Sequence, residues 1–146
     1  MPHDELGILK AARDIVSNHW CADRTYDGNG NHCATGAILV AKGMDPATSC
    51  VSMLSPEIVS VNDAACRLHP ELRGLSAIHR RSDVKYGFDK YPAIFVNNEL
   101  GQQAILEVFD DAIATLEVAR LCAQVESQHP SLDVKKEVEG ETVRVD

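Results

Sequence analysis

Apolar and polar residues alternate most regularly in the stretch from about Leu100 to Val125. Apolar residues recur there every three or four positions, which is the spacing of one face of an α-helix. They are Ile105, Leu106, Phe109, Ala112, Ile113, Leu116, Ala119 and Cys122. The pattern predicts one long helix, with Asn98 as its N-cap. It also predicts a wide apolar face that another element or another molecule covers.

Three shorter helices follow from the same pattern and from signals at the helix ends. The stretch from Leu6 to Val16 shows helical spacing after Asp4, a favourable N-cap residue. The run Ser55-Pro56-Glu57 is a strong helix start, and the helix it opens should end before Pro70. A third helix is predicted from about Cys33 to Gly43, and its small residues favour close packing against another helix.

The remaining segments predict shorter pieces of structure. Residues from Pro70 to Arg81 predict a short helix with its apolar side chains facing inward, and residues 82–92 an aromatic loop. Residues from Ala93 to Val96 predict a short extended piece. The run Asp27-Gly28-Asn29-Gly30-Asn31 is rich in residues that tolerate positive φ, which predicts a hairpin or tight turn.

Together these elements predict a single, mainly α-helical domain over residues 1–128. It should contain four to five helices and a small β-hairpin or turn insertion near residues 24–32. The full length of 146 residues is that of one ordinary domain. Residues 129–146 predict a charged, mobile tail, with a short hairpin as the alternative.

Composition narrows the classes of function. The net charge of −8 argues against binding nucleic acid through the whole surface. Five scattered cysteines do not form the framework of a disulfide-rich protein, so free thiols in the cytoplasm are expected. The N-terminal residues show no secretory signal, and no apolar run is long enough to cross a bilayer. A cytoplasmic protein without membrane contact is therefore expected.

His19, Cys21, His32 and Cys33 are weak candidates for metal ligands. His32 and Cys33 are adjacent, so their side chains diverge, whereas structural zinc sites use ligand pairs separated by about two to four residues. The nearby run Asp27-Gly28-Asn29-Gly30 is similar to the middle of an EF-hand loop but lacks the oxygen ligands at both ends. The sequence therefore predicts no metal and no cofactor. Cys33 at a helix N-terminus, with a histidine as base, is also a candidate thiol nucleophile.

A basic and aromatic segment from Arg73 to Tyr91 is a candidate binding surface. Five cationic residues stand there against two aspartates, in a chain that is acidic overall. The residues most suited to contact an anionic ligand, nucleic acid or an acidic protein surface are Arg80, Arg81, Lys85, Tyr86 and Tyr91. The alternative is a solvated loop whose aromatic side chains pack into the core.

Three pieces of the sequence resemble a known family. The pieces are Ile8-Leu9-Lys10-Ala11-Ala12-Arg13, then Trp20-Cys21 with Cys33-Ala34-Thr35-Gly36-Ala37-Ile38, then Asn97-Asn98 followed by the run from Ala104 to Ile113. Their order is similar to that in a family of small uncharacterised proteins from actinobacteria and their bacteriophages. The matching pieces cover roughly half of the chain, and Asn98 stands where the family usually has Asp.

The resemblance implies a helical protein of the cytoplasm, or of the host cytoplasm if a phage encodes it, and it transfers no catalytic residues. Because no complete catalytic motif is present, we expect a non-enzymatic accessory protein that acts through protein–protein contacts. Self-association along the long helix over residues 100–125 is one such contact. Two alternatives stay open: a binder of an anionic ligand or nucleic acid through residues 73–91, and a small metal- or thiol-dependent enzyme centred on Cys33.

Overall fold

The computed structural model describes residues 4–50 and 52–128. Within these residues the chain forms five α-helices and one two-stranded antiparallel sheet. The helices are α1 (Glu5–Asn18), α2 (Ala34–Ala41), α3 (Pro56–Leu68), α4 (Pro92–Phe95) and α5 (Gln102–Gln128). The strands β1 (Ser76–Ile78) and β2 (Lys85–Gly87) pair as a hairpin. The predicted fold class, mainly helical with a small hairpin or turn, is confirmed.

The first three helices begin and end where the sequence predicts. The Asp4 carboxylate accepts a hydrogen bond from the Gly7 amide at 2.8 Å and so caps α1. Pro56 occupies the first turn of α3, where its missing N–H leaves no helical hydrogen bond unmade. Gly43, just beyond α2, has a φ of +81°, the left-handed conformation that ends many helices.

The core is built where α1 packs against α2 and α3, and ion pairs link α1 and α3 to the first half of α5. Each of these four helices contributes a completely buried apolar side chain: Leu9, Ile38, Val61 and Phe109 respectively. Burial of such side chains is the main favourable contribution to folding, about 1.5–3 kcal/mol for each. These contacts fix the N-terminus of α2, where the candidate site lies.

The segment that follows α3 differs most from its prediction. A 3₁₀ turn at Pro70–Leu72 replaces the first part of the helix predicted over 70–81, and β1 replaces the last part. Gly74 separates them with a φ of +79°, a conformation that glycine adopts freely and that ends a helix. The loop predicted over 82–92 contains β2, and the extended piece predicted over 93–96 is instead helical.

The loop between α1 and α2 contains the turn predicted near residues 24–32. His32 forms isolated β-bridges with Trp20 and Tyr26, which close the loop. The Asp27 carboxylate accepts hydrogen bonds from two backbone amides within the turn. The turn was therefore the correct alternative here, and the hairpin of the fold, formed by β1 and β2, lies further along the chain.

A turn of π-helix at Val96–Leu100 and then Gly101 separate α4 from α5. Gly101 has a φ of +98°, and its N–H donates to the Val96 carbonyl at 3.2 Å. The chain therefore changes direction before α5 begins at Gln102. The predicted N-cap role of Asn98 is wrong, because Asn98 lies inside the π turn and its side chain binds the loop before α2.

α5 passes from buried to exposed surroundings along its length. Its buried residues are Ile105, Leu106, Val108, Phe109 and Ala112. They belong to a compact unit that extends to Ala114, and residues 115–128 belong to a second unit. The apolar face predicted over residues 100–125 is therefore buried only as far as Ala112.

The charged tail predicted over residues 129–146 lies outside the described residues. Within residues 4–50 and 52–128, no helix has both the length and the apolar character that crossing a membrane requires.

Candidate functional site

Asn97 is a buried carboxamide that joins three segments of the compact unit. Only 1% of its surface is exposed. Its Oδ1 accepts hydrogen bonds from the Trp20 indole N–H at 3.0 Å and from the Ala34 amide at 3.1 Å. Its Nδ2 donates to the Cys21 carbonyl at 3.3 Å and to Asn98 Oδ1 at 2.9 Å. All four hydrogen bonds that the carboxamide can readily make are therefore made within the protein.

Asn97 also supplies the cap that α2 lacks in its own sequence. Cys33 stands at the N-cap position of α2, but its side chain makes no capping hydrogen bond. Asn97 caps the Ala34 amide instead, across a sequence separation of 63 residues. The neighbouring Asn98 Oδ1 accepts from the Asp23 amide at 2.8 Å. Both asparagines therefore hold the loop between α1 and α2 in place.

A pocket of about 120 Å³ opens beside this network. Its walls come from the loop before α2, the N-terminus of α2, the hairpin, α4 and the π turn. The lining residues are Asp23, Arg24, Thr25, Cys33, Ala34, Thr35, His79, Ile94, Asn97 and Asn98. Although most of these residues have polar side chains, the surface that they expose to the pocket is mainly apolar.

Cys33 and His79 bring a thiol and an imidazole to the walls of this pocket. Cys33 is 7% exposed, and its Sγ lies 3.0 Å from Thr35 Oγ1, with which it shares a hydrogen bond. His79 Nδ1 accepts a hydrogen bond from the Arg81 amide at 3.3 Å, which leaves Nε2 to carry the proton. The thiol-dependent alternative stays a prediction. The imidazole that shares the pocket with Cys33 is His79, which the sequence analysis did not select.

Gly36 allows the loop to lie directly on α2. A Cβ atom at this position would stand 2.0 Å from the Thr25 carbonyl oxygen, far inside van der Waals contact. The small residues of α2 predict close packing against another helix. At Gly36 it is instead the backbone of Thr25 that packs against α2. This approach places Thr25 in the pocket wall.

Backbone hydrogen bonds join the segments that carry the four weak metal candidates, since the His32 carbonyl accepts from the Cys21 amide at 3.0 Å and the His32 amide donates to the His19 carbonyl at 2.7 Å. Cys21 Sγ donates to the Arg24 carbonyl at 3.2 Å, and burial raises the pKa of this thiol to about 11. His32 stacks on Tyr26 with ring centroids 5.2 Å apart, and burial lowers its pKa. His19 is exposed and Cys33 is buried. Among the residues that the structure describes, no three or more His, Cys, Asp or Glu side chains are arranged to hold a metal ion.

Arg80 and Tyr86, two of the predicted binding residues, instead make contacts inside the compact unit. Arg80 forms ion pairs with Asp23 at 3.1 Å and with Glu99 at 3.2 Å. The Tyr86 hydroxyl donates to Glu99 at 2.6 Å. The pKa of Tyr86 is raised, first by burial and then by this hydrogen bond to a carboxylate. These two side chains therefore hold the hairpin against the π turn.

The other three predicted binding residues have different surroundings. Arg81 and Lys85 are exposed, at the tip of the hairpin and on β2. Tyr91 is half-buried just before α4, and the Lys90 ammonium lies 5.4 Å from the centre of its ring. The structure thus divides the basic segment into an inward part and an outward part.

The second half of α5 presents a line of exposed aliphatic side chains. Val118, Leu121 and Val125 expose 59%, 61% and 54% of their surface. Spacings of three and four residues place them on one face of the helix. This line is the exposed continuation of the apolar pattern that predicted α5.

Comparison with curated proteins and with solved structures finds no match to this chain. One family model does match, and it covers residues 1–115. This range includes the pocket, the hairpin and the described part of the compact unit. The expected resemblance to a family of uncharacterised proteins is confirmed at this level. The chain belongs to a family of unknown function, DUF6197.

Proposed function

We propose that this protein is a small cytoplasmic accessory protein that acts through protein–protein contacts and pairs with a second copy of itself along α5. The observation that carries the proposal is the exposed line formed by Val118, Leu121 and Val125. Single exposed apolar residues are common on protein surfaces, whereas aligned aliphatic side chains mark a contact surface. The line continues a helix whose first half already anchors it in a folded core.

A second copy fits this line because the line is nearly symmetric about its midpoint. When two α5 helices run antiparallel around that midpoint, Val118 of each copy lies opposite Val125 of the other, and the two Leu121 side chains meet near the centre. Such an interface uses the same surface on both copies and closes as a dimer. Residues 115–128 carry two glutamates and one arginine, so repulsion between copies is weaker there than the net charge of −8 suggests.

The size of the line implies a weak dimer. Only three side chains on each copy are covered, and part of their surface is already buried in the monomer, so the gain from burying them is small. The adjoining small side chains of α5 add to the contact. The fraction of dimer should therefore be low in dilute solution and increase with protein concentration.

Sedimentation velocity over a wide range of protein concentration tests the proposal with Leu121→Glu. The sedimentation coefficient of the wild type should rise with concentration, whereas that of the variant should stay at the monomer value. A carboxylate at the centre of the interface is placed opposite its own copy, which opposes pairing. The variant should still fold, because Leu121 is 61% exposed in the monomer.

Leu54→Glu is the matched control, because Leu54 is 87% exposed and lies before α3. This variant should dimerise as the wild type does. A wild type that stays monomeric over the whole range contradicts the proposal. Equal association of Leu121→Glu and the wild type contradicts it as well.

Two observations support a place in the cytoplasm. All five cysteines are free thiols, which is the usual state in a reducing compartment. The sequence resemblance to proteins of actinobacteria and their phages agrees with a role inside a bacterium, or inside the infected host if a phage carries the gene.

A further inference from the structure

The β1–β2 hairpin has an inward face and an outward face of different chemistry. Ala77 of β1 lies opposite Tyr86 of β2, and both are half-buried. Ile78 lies opposite Lys85, and both are exposed. Directly opposed residues of an antiparallel pair point to the same side of the sheet. The inward face therefore carries Ala77 and Tyr86, and the outward face carries Ile78 and Lys85.

The cations of the hairpin divide in the same way. Arg80 is paired with Asp23 and Glu99 and so belongs to the inward contacts. Arg81 and Lys85 are exposed, and neither makes an ion pair with any residue in the described parts of the chain. These two cations stand against one exposed carboxylate, Asp83, so the tip of the hairpin is locally positive in a protein with a net charge of −8.

Exposed aliphatic side chains accompany these cations. Leu75, Ile78 and Val84 expose 49%, 54% and 59% of their surface. Ile78 shares the outward face with Lys85, whereas Leu75 and Val84 alternate with outward positions and lie at the edges of the hairpin. A surface that combines cations with aliphatic groups complements a partner that carries acidic and aliphatic side chains.

The aromatic residues argue against nucleic acid as the partner. Binding of single strands depends on aromatic side chains that are free to stack on bases. Phe88 is completely buried, and the Tyr86 hydroxyl is held by Glu99. What the hairpin offers to solvent is therefore aliphatic and cationic, which favours a peptide.

We propose that the outward face of the hairpin, with Ile78, Arg81 and Lys85 at its centre, docks a short acidic segment of a partner protein that also carries aliphatic side chains. This surface is separate from the line of aliphatic residues on α5. A protein that stays monomeric can therefore still bind such a segment, and the two proposals fail independently.

A fluorescently labelled peptide of alternating aspartate and leucine residues is the probe, titrated with the full-length protein and followed by fluorescence anisotropy. The wild type should bind it, with an affinity that falls as salt is added. Lys85→Glu should weaken binding by about tenfold or more, because attraction becomes repulsion. Ile78→Ser should weaken binding without changing its dependence on salt. Both side chains are exposed, so both variants should unfold at nearly the wild-type urea concentration.

Lys10→Glu on α1 is the matched charge reversal, because Lys10 is exposed and lies outside the hairpin. It should leave peptide affinity within about twofold of the wild type. Failure of the wild type to bind the peptide overturns the proposal, and so do equal effects of Lys85→Glu and Lys10→Glu. Tighter binding of single-stranded DNA or of anionic vesicles than of the peptide overturns it in favour of those partners.

Discussion

The two halves of α5 share one apolar pattern but lie in opposite surroundings. Phe109 in the first half is completely buried, whereas Leu121 in the second half keeps 61% of its surface exposed. The first half also has charged partners, because Arg13 of α1 binds Asp110 at 2.6 Å and Arg67 of α3 binds Asp111 at 2.7 Å. An apolar pattern therefore shows which side of a helix avoids water, and neighbouring elements decide how much of it is covered.

The family match separates the same two regions. It ends at residue 115, next to Ala114, where the compact unit ends. The pocket and the hairpin lie inside the matched range, and the exposed line on α5 lies beyond it. A role that all members share is therefore expected in the compact unit, whereas pairing along α5 is not expected of every member.

Truncating one apolar side chain in each half of α5 tests the difference in burial between the halves. It should give the largest effect on stability. Phe109→Ala should lower the free energy of unfolding by about 3–5 kcal/mol, because it leaves a cavity in a completely buried site. Leu121→Ala should change it by less than about 0.5 kcal/mol, because that side chain is mostly exposed. Urea denaturation at low protein concentration measures both. Similar losses in the two variants would show that the halves are equally buried.

A single added methyl group tests how tightly the compact unit is packed. Gly36→Ala should destabilise the protein by about 1–3 kcal/mol, because the new Cβ would lie 2.0 Å from the Thr25 carbonyl oxygen. In a helix without this contact, the same change usually stabilises. Gly87→Ala is the control, since its Cβ would lie in ordinary van der Waals contact, 3.7 Å from the Leu75 carbonyl oxygen. Thermal unfolding of both variants measures the difference, and a stabilised Gly36→Ala variant would contradict the described approach of the loop.

His32, in the loop before α2, should make stability depend on pH. This effect should be smaller than those of the two substitutions above. Burial lowers the pKa of His32, so the folded chain binds this proton less readily than the unfolded chain. The neutral His32 imidazole makes its full contribution to the free energy of unfolding above a pH of about 6.5. This contribution decreases as the pH falls through that value. His32→Gln should therefore make stability less dependent on pH between about pH 7 and 5.

Urea denaturation across that pH range measures the effect of His32. The wild type, measured over the same pH range, is the reference for this change. An unchanged pH dependence in His32→Gln would show that the loop does not depend on the neutral imidazole.

The parts of the fold that depend on local chemistry were predictable from sequence. Three such features act only on residues close to them in sequence. They are the cap at Asp4, Pro56 at the start of α3 and the apolar spacing of α5. The prediction of a helix over 70–81 is wrong, because apolar spacing alone does not show where a helix is interrupted. Gly74, with its positive φ, divides the segment. The glycine was the available signal.

The candidate site was only partly predictable, because its contacts join residues far apart in sequence. Asn97 appeared as part of a helix start, but its hydrogen bonds to Trp20 and Ala34 depend on the packed fold. His79 had no local signal, since it enters the pocket wall through the hairpin. Gly36 was noticed as a small residue, yet the atom that requires it belongs to Thr25.

The hydrogen bonds of Asn97 also bear on how the chain folds. They link residues separated by 63, 76 and 77 positions, so the chain between them must be brought together before any of them forms. Closing such long loops costs conformational entropy, and contacts of this kind slow folding. Helices α1 and α3 can begin to form from nearby residues, whereas the pocket is expected to assemble late. A nascent or partly unfolded chain therefore has helices before it has this pocket.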